Sequence, residues 1–319
     1  MRYLTLKGHG LDLKVSKLAM GTDKLMLSLT DEEFFYLLDT YTDAGGNFID
    51  TARVYSGGKS EEAIGRWLKK TGKRGNIVLS SKGCHPPREN MAQSRLARED
   101  MAYDLELSLK ALETDCLDIY WLHRDDPAIP AGEIVEHINS FIQEGKIRMA
   151  GCSNWRSDRI EEANQYAAQK GLSGFSSSQI QWSLAHTSED IYQDYGIVIM
   201  DEKEYDYYCR KNLPVLAYAS QAQGFFSKVA KDGLEVLSEK TRKRFASEDN
   251  LKRLETLQDF AAKHGISLAA ASLVYITCNR LPAVPIIGSR TPRQLQESLE
   301  AADILITPEE ADKLYVIAQ

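Results

Sequence analysis

The stretch LSLKALETDCLDIYWLH, residues 107–123, contains the pattern that decides the fold. A segment of helical character leads through a short turn into an apolar run, Leu117 to Leu122, which ends on His123. Strands that alternate with helices indicate a parallel sheet, and eight of them predict a closed (β/α)8 TIM barrel of the α/β class. The other runs of this kind are Val15 to Met20, Asn47 to Asp50, Ile77 to Ser80, Ile147 to Cys152, Ser178 to Trp182, Val215 to Ala219 and Ala283 to Ile287.

Two shorter runs precede the first predicted barrel strand. Tyr3 to Leu6 and Leu11 to Lys14 flank the glycine-rich segment KGHG at residues 7–10, which is typical of a β-hairpin. Such a hairpin, residues 1–14, could close the bottom of the barrel. Because no linker, low-complexity tract or longer repeat divides the chain, residues 1–319 are predicted to form a single domain.

The composition of the 319-residue chain excludes several functional classes. Lys and Arg total 39 against 46 Asp and Glu, so a net charge of −7 argues against nucleic-acid binding through phosphate neutralisation. Residues 1–21 contain no apolar segment suited to a signal peptide or a membrane span. The five cysteines lack any CxxC spacing, which argues against a disulfide framework and a zinc ribbon. We expect a cytoplasmic monomer or weak homo-oligomer without a membrane partner.

Four titratable side chains lie at or just beyond predicted strand ends. Asp50 ends the second strand, Lys82 follows the third, His123 follows the fourth, and Tyr55 stands five residues after Asp50. The carboxyl ends of barrel strands meet at one mouth, so these groups are expected to converge there. A neighbouring ammonium can favour the tyrosine anion, and neutral His123 could donate a hydrogen bond to a substrate oxygen. Such a site suits protonation of a carbonyl oxygen while hydride arrives.

Three separated motifs make the chain resemble the aldo-keto reductase superfamily along nearly its whole length. They are GGNFIDTA at residues 45–52 running into Tyr55, LSLKAL leading to DIYWLH at residues 118–123, and EGKIR at residues 144–148 with GCSN at residues 151–154. The resemblance implies NADPH-dependent, reversible reduction of aldehyde and ketone carbonyls, with hydride from nicotinamide C4 and the proton from Tyr55. The implied catalytic tetrad is Asp50, Tyr55, Lys82 and His123.

The resemblance also implies a dinucleotide site on the barrel, without a Rossmann fold. The sequence agrees, because it contains neither a GxGxxG motif after a strand nor a GxxxxGK[ST] motif. Tyr218 would stack on the nicotinamide ring, although packing at the barrel mouth is an alternative for this side chain. The chain departs from the family in having Ala219-Ser220-Gln221 after this tyrosine. The other implied contacts at this end of the cofactor are Thr22, Ser153, Asn154 and Gln179.

The segment PIIGSRTPRQ, residues 285–294, is implied to hold the adenosine end of NADPH. Thr291 and Pro292 form a plausible N-cap and first residue of a helix, and such a helix start attracts phosphate. Arg290 suits the 2′-phosphate through its planar fork of donors, and Ser289 adds a hydroxyl. A solvated face is the alternative for Arg290 and Arg293. The remaining implied contacts are Gly288, Gln294, Glu297 and Ser298, the last standing where the family usually has asparagine.

Two other functions remain open at this stage. A metal-dependent barrel hydrolase could use His85, His123 and His186 with Asp50, but it would leave Tyr55 and the Lys82 ammonium without a role. A non-catalytic NADP-binding regulatory subunit is the third reading, because some family members resemble reductases yet serve channels. The reduction of carbonyl compounds, by contrast, needs a small-molecule carbonyl substrate and no metal.

Several aromatic residues allow two interpretations. The long segments 183–212 and 225–249 follow strand ends and could cover the barrel mouth. The alternative for Tyr205 to Cys209 is a helix packed outside the sixth strand. The following four side chains could line a substrate pocket or belong to the core: Trp121, Trp155, Trp182 and Phe225.

Overall fold

An antiparallel hairpin precedes the barrel in the computed structural model, which describes residues 1–8, 10–193 and 195–315. Its strands are β1 (Tyr3–Lys7) and β2 (Asp12–Ser16). Leu6, Leu13 and Val15 are buried in one apolar cluster with side chains from most of the barrel strands. The hairpin therefore closes one end of the barrel, as predicted.

Eight parallel strands form a closed barrel, which confirms the predicted fold class. Each strand pairs with the next along the chain, and the last pairs with the first. The strands are β3 (Ala19–Gly21), β4 (Phe48–Asp50), β5 (Val78–Gly83), β6 (Leu117–Leu122), β7 (Ile147–Ser153), β8 (Phe175–Gln181), β9 (Val215–Tyr218) and β10 (Ala283–Ile287).

Helices surround the barrel between successive strands. The first begins as its sequence predicts, because the Thr30 side chain accepts from the Glu33 amide while the Glu33 carboxylate accepts from the Thr30 amide. No helix among the described residues is both long enough and apolar enough to cross a membrane. The helices are α1 (Asp31–Asp43), α2 (Lys59–Thr71), α3 (Arg98–Ala111), α4 (Ala131–Gln143), α5 (Ser157–Lys170), α6 (Glu189–Tyr192), α7 (Glu202–Lys211), α8 (Phe225–Asp232), α9 (Glu239–Phe245), α10 (Glu248–His264), α11 (Leu268–Thr277), α12 (Pro292–Leu299) and α13 (Pro308–Tyr315).

The N-terminal boundaries differ from the prediction. Val15 and Ser16 belong to the hairpin rather than to the first barrel strand, so the hairpin extends beyond residue 14 and the barrel begins at Ala19. The alternation of apolar and polar residues continues through β2 and hides this break. His9 of the predicted hairpin turn lies outside the described residues, as do Asp194 and residues 316–319 of the predicted 1–319 domain.

Two barrel strands extend over polar residues that the prediction left out. β5 continues past Ser80 to Gly83, and β8 begins at Phe175 and ends one residue before Trp182. Both strands are buried along their whole length. Their polar side chains have partners distant in sequence, such as the Ala150 carbonyl, 3.0 Å from the Ser176 hydroxyl. These contacts satisfy buried polar groups that sequence pattern alone assigns to loops.

The two long segments after β8 and β9 both contain helices. Residues 183–212 contain α6 and α7, and residues 225–249 contain α8, α9 and the start of α10. Tyr208 on α7 is buried, and its hydroxyl lies 2.9 Å from that of Ser178 in β8. Residues Tyr205 to Cys209 therefore belong to a helix that packs outside the sixth barrel strand, which was the alternative interpretation.

Candidate active site

A buried ion pair joins the ends of neighbouring strands β4 and β5. The Lys82 ammonium lies 2.6 Å from the Asp50 carboxylate and donates to the Thr51 carbonyl at 2.7 Å. The other Asp50 oxygen accepts from the Ser80 hydroxyl at 2.8 Å and from the Gln179 amide at 3.2 Å. Burial lowers the pKa of Lys82, and the Asp50 charge opposes that shift. The pair is thus held in one orientation by four contacts.

Tyr55 lies on a turn with unusual backbone geometry. Ser56, Gly57 and Gly58, which follow it, all have positive φ, at 51°, 67° and 93°. A Cβ at Gly58 would lie 1.3 Å from a terminal nitrogen of Arg53, whose other terminal nitrogen bonds the buried Glu61 carboxylate at 2.7 Å. Glycine adopts positive φ readily, whereas Ser56 is strained there and needs support from its surroundings. The Arg53 side chain, which is paired with Glu61, packs against this turn and donates to the Gly57 carbonyl at 3.4 Å.

The Tyr55 ring lies between the ion pair and His123. The Lys82 ammonium is 4.9 Å from the Tyr55 ring centroid, and the His123 ring centroid is 6.2 Å away in an edge-to-face arrangement. Burial, followed by the Asp50 charge, raises the pKa of Tyr55 well above its usual value. Tyr55 therefore keeps its proton near neutral pH in the protein alone. In the protein alone, burial and the Asp50 charge outweigh the stabilisation of the tyrosine anion that is expected from the Lys82 ammonium.

His123 directly follows β6 and is kept neutral by its surroundings. Burial, then the positive charges of Arg124, His85 and Lys82, lower its pKa well below the usual value. The His85 ring packs against it edge to face at 4.7 Å between centroids. Its Nδ1 has no hydrogen-bond partner among the described residues. A neutral imidazole fits the role predicted for it, donation of a hydrogen bond to a substrate oxygen.

The neutral state of His123 predicts an acid sensitivity of folding. Below about pH 6.5 the unfolded chain binds a proton at this position that the folded protein does not, so stability falls as the pH decreases. The variant His123→Gln lacks this contribution. Between about pH 7.5 and pH 5.5 it should therefore lose less unfolding free energy than the original protein. The difference should amount to at most about 1.4 kcal/mol for each pH unit below the ordinary histidine pKa. Urea unfolding at several pH values measures it. An unchanged acid dependence in the variant would contradict this account of His123.

One cavity of about 820 Å³ brings together the sequence-predicted residues. Asp50, Tyr55 and His123 line it, while Lys82 lies behind Asp50. The cavity extends from these side chains to the start of α12. All eleven predicted cofactor residues line it: Thr22, Ser153, Asn154, Gln179, Tyr218, Gly288, Ser289, Arg290, Gln294, Glu297 and Ser298.

Asn154 connects the His123 end of the cavity with Tyr218. Its amide nitrogen donates to the His123 carbonyl at 3.3 Å and to the Ser153 hydroxyl at 3.0 Å. Its amide oxygen accepts from the Tyr218 hydroxyl at 2.6 Å. Asn154 has a positive φ of 60°, which asparagine tolerates better than most residues. This network fixes the amide and ring orientations at the barrel mouth.

The far end of the cavity has the predicted helix start. Thr291 caps α12 by accepting from the Gln294 amide, and Pro292 is the first helical residue. Ser289 is buried, and its hydroxyl has no partner among the described residues. An orphaned buried hydroxyl beside Arg290 fits an anionic ligand group. Arg293 is exposed and forms an ion pair with Glu297 on α12, at 2.8 Å. For Arg293, therefore, the alternative interpretation as part of a solvated helix face is correct.

The sequence did not predict several of the residues that line the cavity. The cations Arg124, Lys228, Lys240 and Arg244 all line it, the last three from the helical segment after β9. Arg124 directly follows His123 and could have been noticed there. The other three carried no signal, because their approach to the cavity depends on how α8 and α9 fold over the barrel mouth. They add positive charge to the lining of the cavity.

The four aromatic residues with two interpretations all belong to the core. All are buried, and none lines the cavity. The Trp155 ring packs against Phe175, and the Trp182 ring packs against Tyr205 and Tyr275. The large apolar and aromatic side chains that line the cavity include Tyr192, Ile197, Phe226 and Ile286.

The ligand set of the alternative hydrolase is not assembled. His85 Nδ1 lies 2.6 Å from the Pro86 carbonyl oxygen, and His186 Nδ1 lies 3.2 Å from the Tyr315 hydroxyl. His186 does not line the cavity that contains His123 and Asp50. Within residues 1–8, 10–193 and 195–315, no three His, Cys, Asp or Glu side chains form a group that could hold a metal ion.

Comparison with known proteins gives concordant matches. A family model described as the aldo/keto reductase family matches residues 17–318. An aryl-alcohol dehydrogenase of Pestalotiopsis microspora is 28% identical over 314 residues, 95% of this chain and 78% of that protein. A probable voltage-gated potassium channel subunit beta of Oryza sativa subsp. japonica is 28% identical over 340 residues, 100% of this chain and 97% of that protein. The crystal structure of a thermostable aldo-keto reductase with the inhibitor epalrestat matches with a TM-score of 0.73 and 25% identity, covering 100% of both chains.

Proposed function

The chain belongs to the aldo/keto reductase family of oxidoreductases, and from this premise we propose that it reduces aldehyde and ketone carbonyls to alcohols with NADPH, reversibly. The observation that carries the proposal is the single cavity that contains Tyr55 and His123 at one end and Ser289 and Arg290 at the other. The length of this cavity suits a dinucleotide whose nicotinamide ring lies near Tyr55.

The proposed chemistry assigns a role to each tetrad residue. NADPH, when bound, supplies the hydride that the carbonyl carbon accepts. The Tyr55 hydroxyl donates the proton that the carbonyl oxygen takes up, which gives the alcohol. Neutral His123 donates a hydrogen bond to the same oxygen and orients it. Asp50 fixes the Lys82 ammonium beside the Tyr55 ring, where its positive charge stabilises the tyrosinate left after proton transfer.

Asn154 and Gln179 are suited to hold the nicotinamide carboxamide, because both place amide groups beside the tetrad. The Tyr218 ring, anchored through Asn154, would stack on the nicotinamide. Lys228, Lys240 and Arg244 supply positive charge toward the phosphates of the dinucleotide.

We also propose that residues 1–319 act as one domain, in the cytoplasm and as a monomer or weak homo-oligomer.

Preference for NADPH over NADH should depend on Arg290. In Arg290→Ala the binding of NADPH should weaken by about 1.5–3 kcal/mol, the usual range for a hydrogen bond to a charged group, while NADH binding changes little. Fluorescence titration of both cofactors measures this. Arg280→Ala is the control, because this exposed arginine is paired with Asp312 and does not line the cavity. Equal losses for the two cofactors would show that Arg290 does not bind the 2′-phosphate.

A panel of carbonyl compounds tests the proposed activity. Purified protein with NADPH should oxidise the cofactor in the presence of some of these compounds, which is followed by the loss of absorbance of the reduced nicotinamide. The channel-subunit relative keeps a regulatory role as the second candidate function. Binding of NADPH without turnover of any compound in the panel would favour that second role.

A further inference from the structure

An ion pair beside the Tyr55 turn joins three elements of the active site. The Glu61 carboxylate, at the start of α2, accepts from the Arg53 guanidinium at 2.7 Å and from the Ser81 hydroxyl of β5 at 2.6 Å. Arg53 stands two residues before Tyr55, and Ser81 directly precedes Lys82. Glu61 is fully buried, and neither Glu61 nor Arg53 lines the cavity. The pair can therefore act on the proposed reaction only through other residues.

The main chain at Arg53 is tied to the same strand as Glu61. The Arg53 amide donates to the Lys82 carbonyl at 2.9 Å, and its side chain donates to the Gly57 carbonyl at 3.4 Å. One arginine thus closes the turn that contains Tyr55, and Glu61 holds that arginine to β5. The Lys82 ammonium lies 4.9 Å from the Tyr55 ring centroid. This separation depends on how the turn packs against β5, and the Glu61 bridge joins these two segments.

A buried ion pair is a costly way to stabilise a turn. The removal of two charges from water costs free energy that their attraction returns only in part, and apolar side chains of similar volume often give equal or greater stability. Stability alone therefore does not explain why Glu61 and Arg53 occupy this place. What the pair adds is a defined orientation, because its charged hydrogen bonds are directional.

We propose that Glu61, through Arg53 and Ser81, is a positioning residue that sets the place of the Tyr55 hydroxyl relative to the Lys82 ammonium. This inference rests on the proposed carbonyl reduction, in which the ammonium stabilises the tyrosinate. The competing account gives the pair a structural role only, in which it holds α2 against the barrel. In that account the activity of the variants follows their stability, whereas a positioning role separates the two.

The first test is kinetic. In Glu61→Gln, kcat should fall by roughly 10- to 100-fold, because a displacement of about 1 Å at a reacting group has effects of this size, while the affinity for NADPH stays within about 3-fold. Ser81→Ala keeps both charges and removes one hydrogen bond of the bridge, so its kcat should fall by about 2- to 10-fold.

Asp118→Asn is the matched control for Glu61→Gln. The Asp118 carboxylate is buried like that of Glu61 and bonds a half-buried arginine, Arg74, at 2.8 Å, but it lies near the start of β6 and does not line the cavity. The control should lower the urea midpoint about as much as Glu61→Gln does, because both variants break a buried pair. Its kcat should stay within about 3-fold of the original value.

A double variant separates position from stability. Arg53→Met combined with Glu61→Leu replaces the pair by apolar side chains, which should return the urea midpoint toward the original value. Its kcat should remain as low as that of Glu61→Gln. Recovery of kcat together with stability, or near-normal kcat in Glu61→Gln, would overturn the assignment. A loss of NADPH affinity as large as the loss of kcat would also overturn it.

Fluorine NMR gives a readout that does not depend on turnover. In protein labelled with 3-fluorotyrosine, the Tyr55 resonance is assigned by its absence in Tyr55→Phe. This resonance should move in Glu61→Gln and in the double variant, and it should stay in place in Asp118→Asn. An unmoved resonance in Glu61→Gln contradicts the positioning role. If the original protein reduces no carbonyl compound, the proposed function fails, and the resonance still decides whether Glu61 positions Tyr55.

Discussion

Replacement of Tyr55 by phenylalanine should lower kcat by roughly 100- to 10,000-fold, the range that general-acid catalysis contributes. The variant keeps the ring that packs between the Lys82 ammonium and His123, and it removes only the hydroxyl. Because the hydroxyl acts on the carbonyl oxygen, the affinity for NADPH should stay within a few-fold of the original value. Steady-state kinetics and a fluorescence titration of NADPH measure the two effects separately.

A suitable control is Tyr218→Phe, which removes a hydroxyl from the same cavity but one that donates to Asn154. Its kcat should fall much less than that of Tyr55→Phe. Near-normal turnover in Tyr55→Phe would remove this residue from the mechanism. A loss of NADPH binding as large as the loss of kcat would instead place the hydroxyl in the cofactor site.

Asp50→Asn should have the largest effect on stability. Removal of one partner from a buried ion pair typically costs about 3–5 kcal/mol of unfolding free energy, because the remaining charge has lost its compensation. Here the remaining charge is Lys82, fully enclosed and left with the Thr51 carbonyl. Urea unfolding measures the loss. The deficit should become smaller as the pH rises, because burial lowers the pKa of Lys82 and the neutral amine needs no counterion.

The control for this variant is Asp31→Asn, which breaks an exposed pair with Arg66. Exposed pairs contribute about 0–1 kcal/mol, so this control should remain close to the original stability. If Asp50→Asn is destabilised no more than Asp31→Asn, the Asp50 and Lys82 pair does not have the energetic role described. Activity should also fall in Asp50→Asn, because the Lys82 ammonium is no longer fixed beside the Tyr55 ring.

Sequence pattern predicted the barrel because its strands are mostly short apolar runs between amphipathic helices. It failed at β5 and β8, where Ser81, Lys82 and Ser176 continue the strand inside the protein. The Ser81 hydroxyl donates to the buried Glu61 carboxylate at 2.6 Å, and Glu61 lies on the preceding helix. A polar residue whose partner comes from another element cannot be distinguished locally from a loop residue.

The site was predictable to the extent that its residues stand at strand ends or in motifs. The structure assembles Asp50, Tyr55, Lys82 and His123 around one cavity, as their positions after parallel strands require. The glycines Gly57 and Gly58 indicate a turn after Tyr55, but the positive φ of Ser56 could not be predicted, because serine rarely adopts it. The pKa of Tyr55 was also beyond sequence reasoning, because it depends on the balance between burial and nearby charges.

The most direct test of the account is the transfer of isotope from NADPH to product. The protein is incubated with NADPH in which both hydrogens at nicotinamide C4 are replaced by deuterium, together with a carbonyl compound that the panel identifies. The alcohol is analysed by mass spectrometry and NMR. The account predicts one deuterium on the carbon that carried the carbonyl oxygen, with the hydroxyl proton exchanging with water. Alcohol without deuterium at that carbon, or no alcohol despite bound NADPH, would contradict hydride transfer at this site.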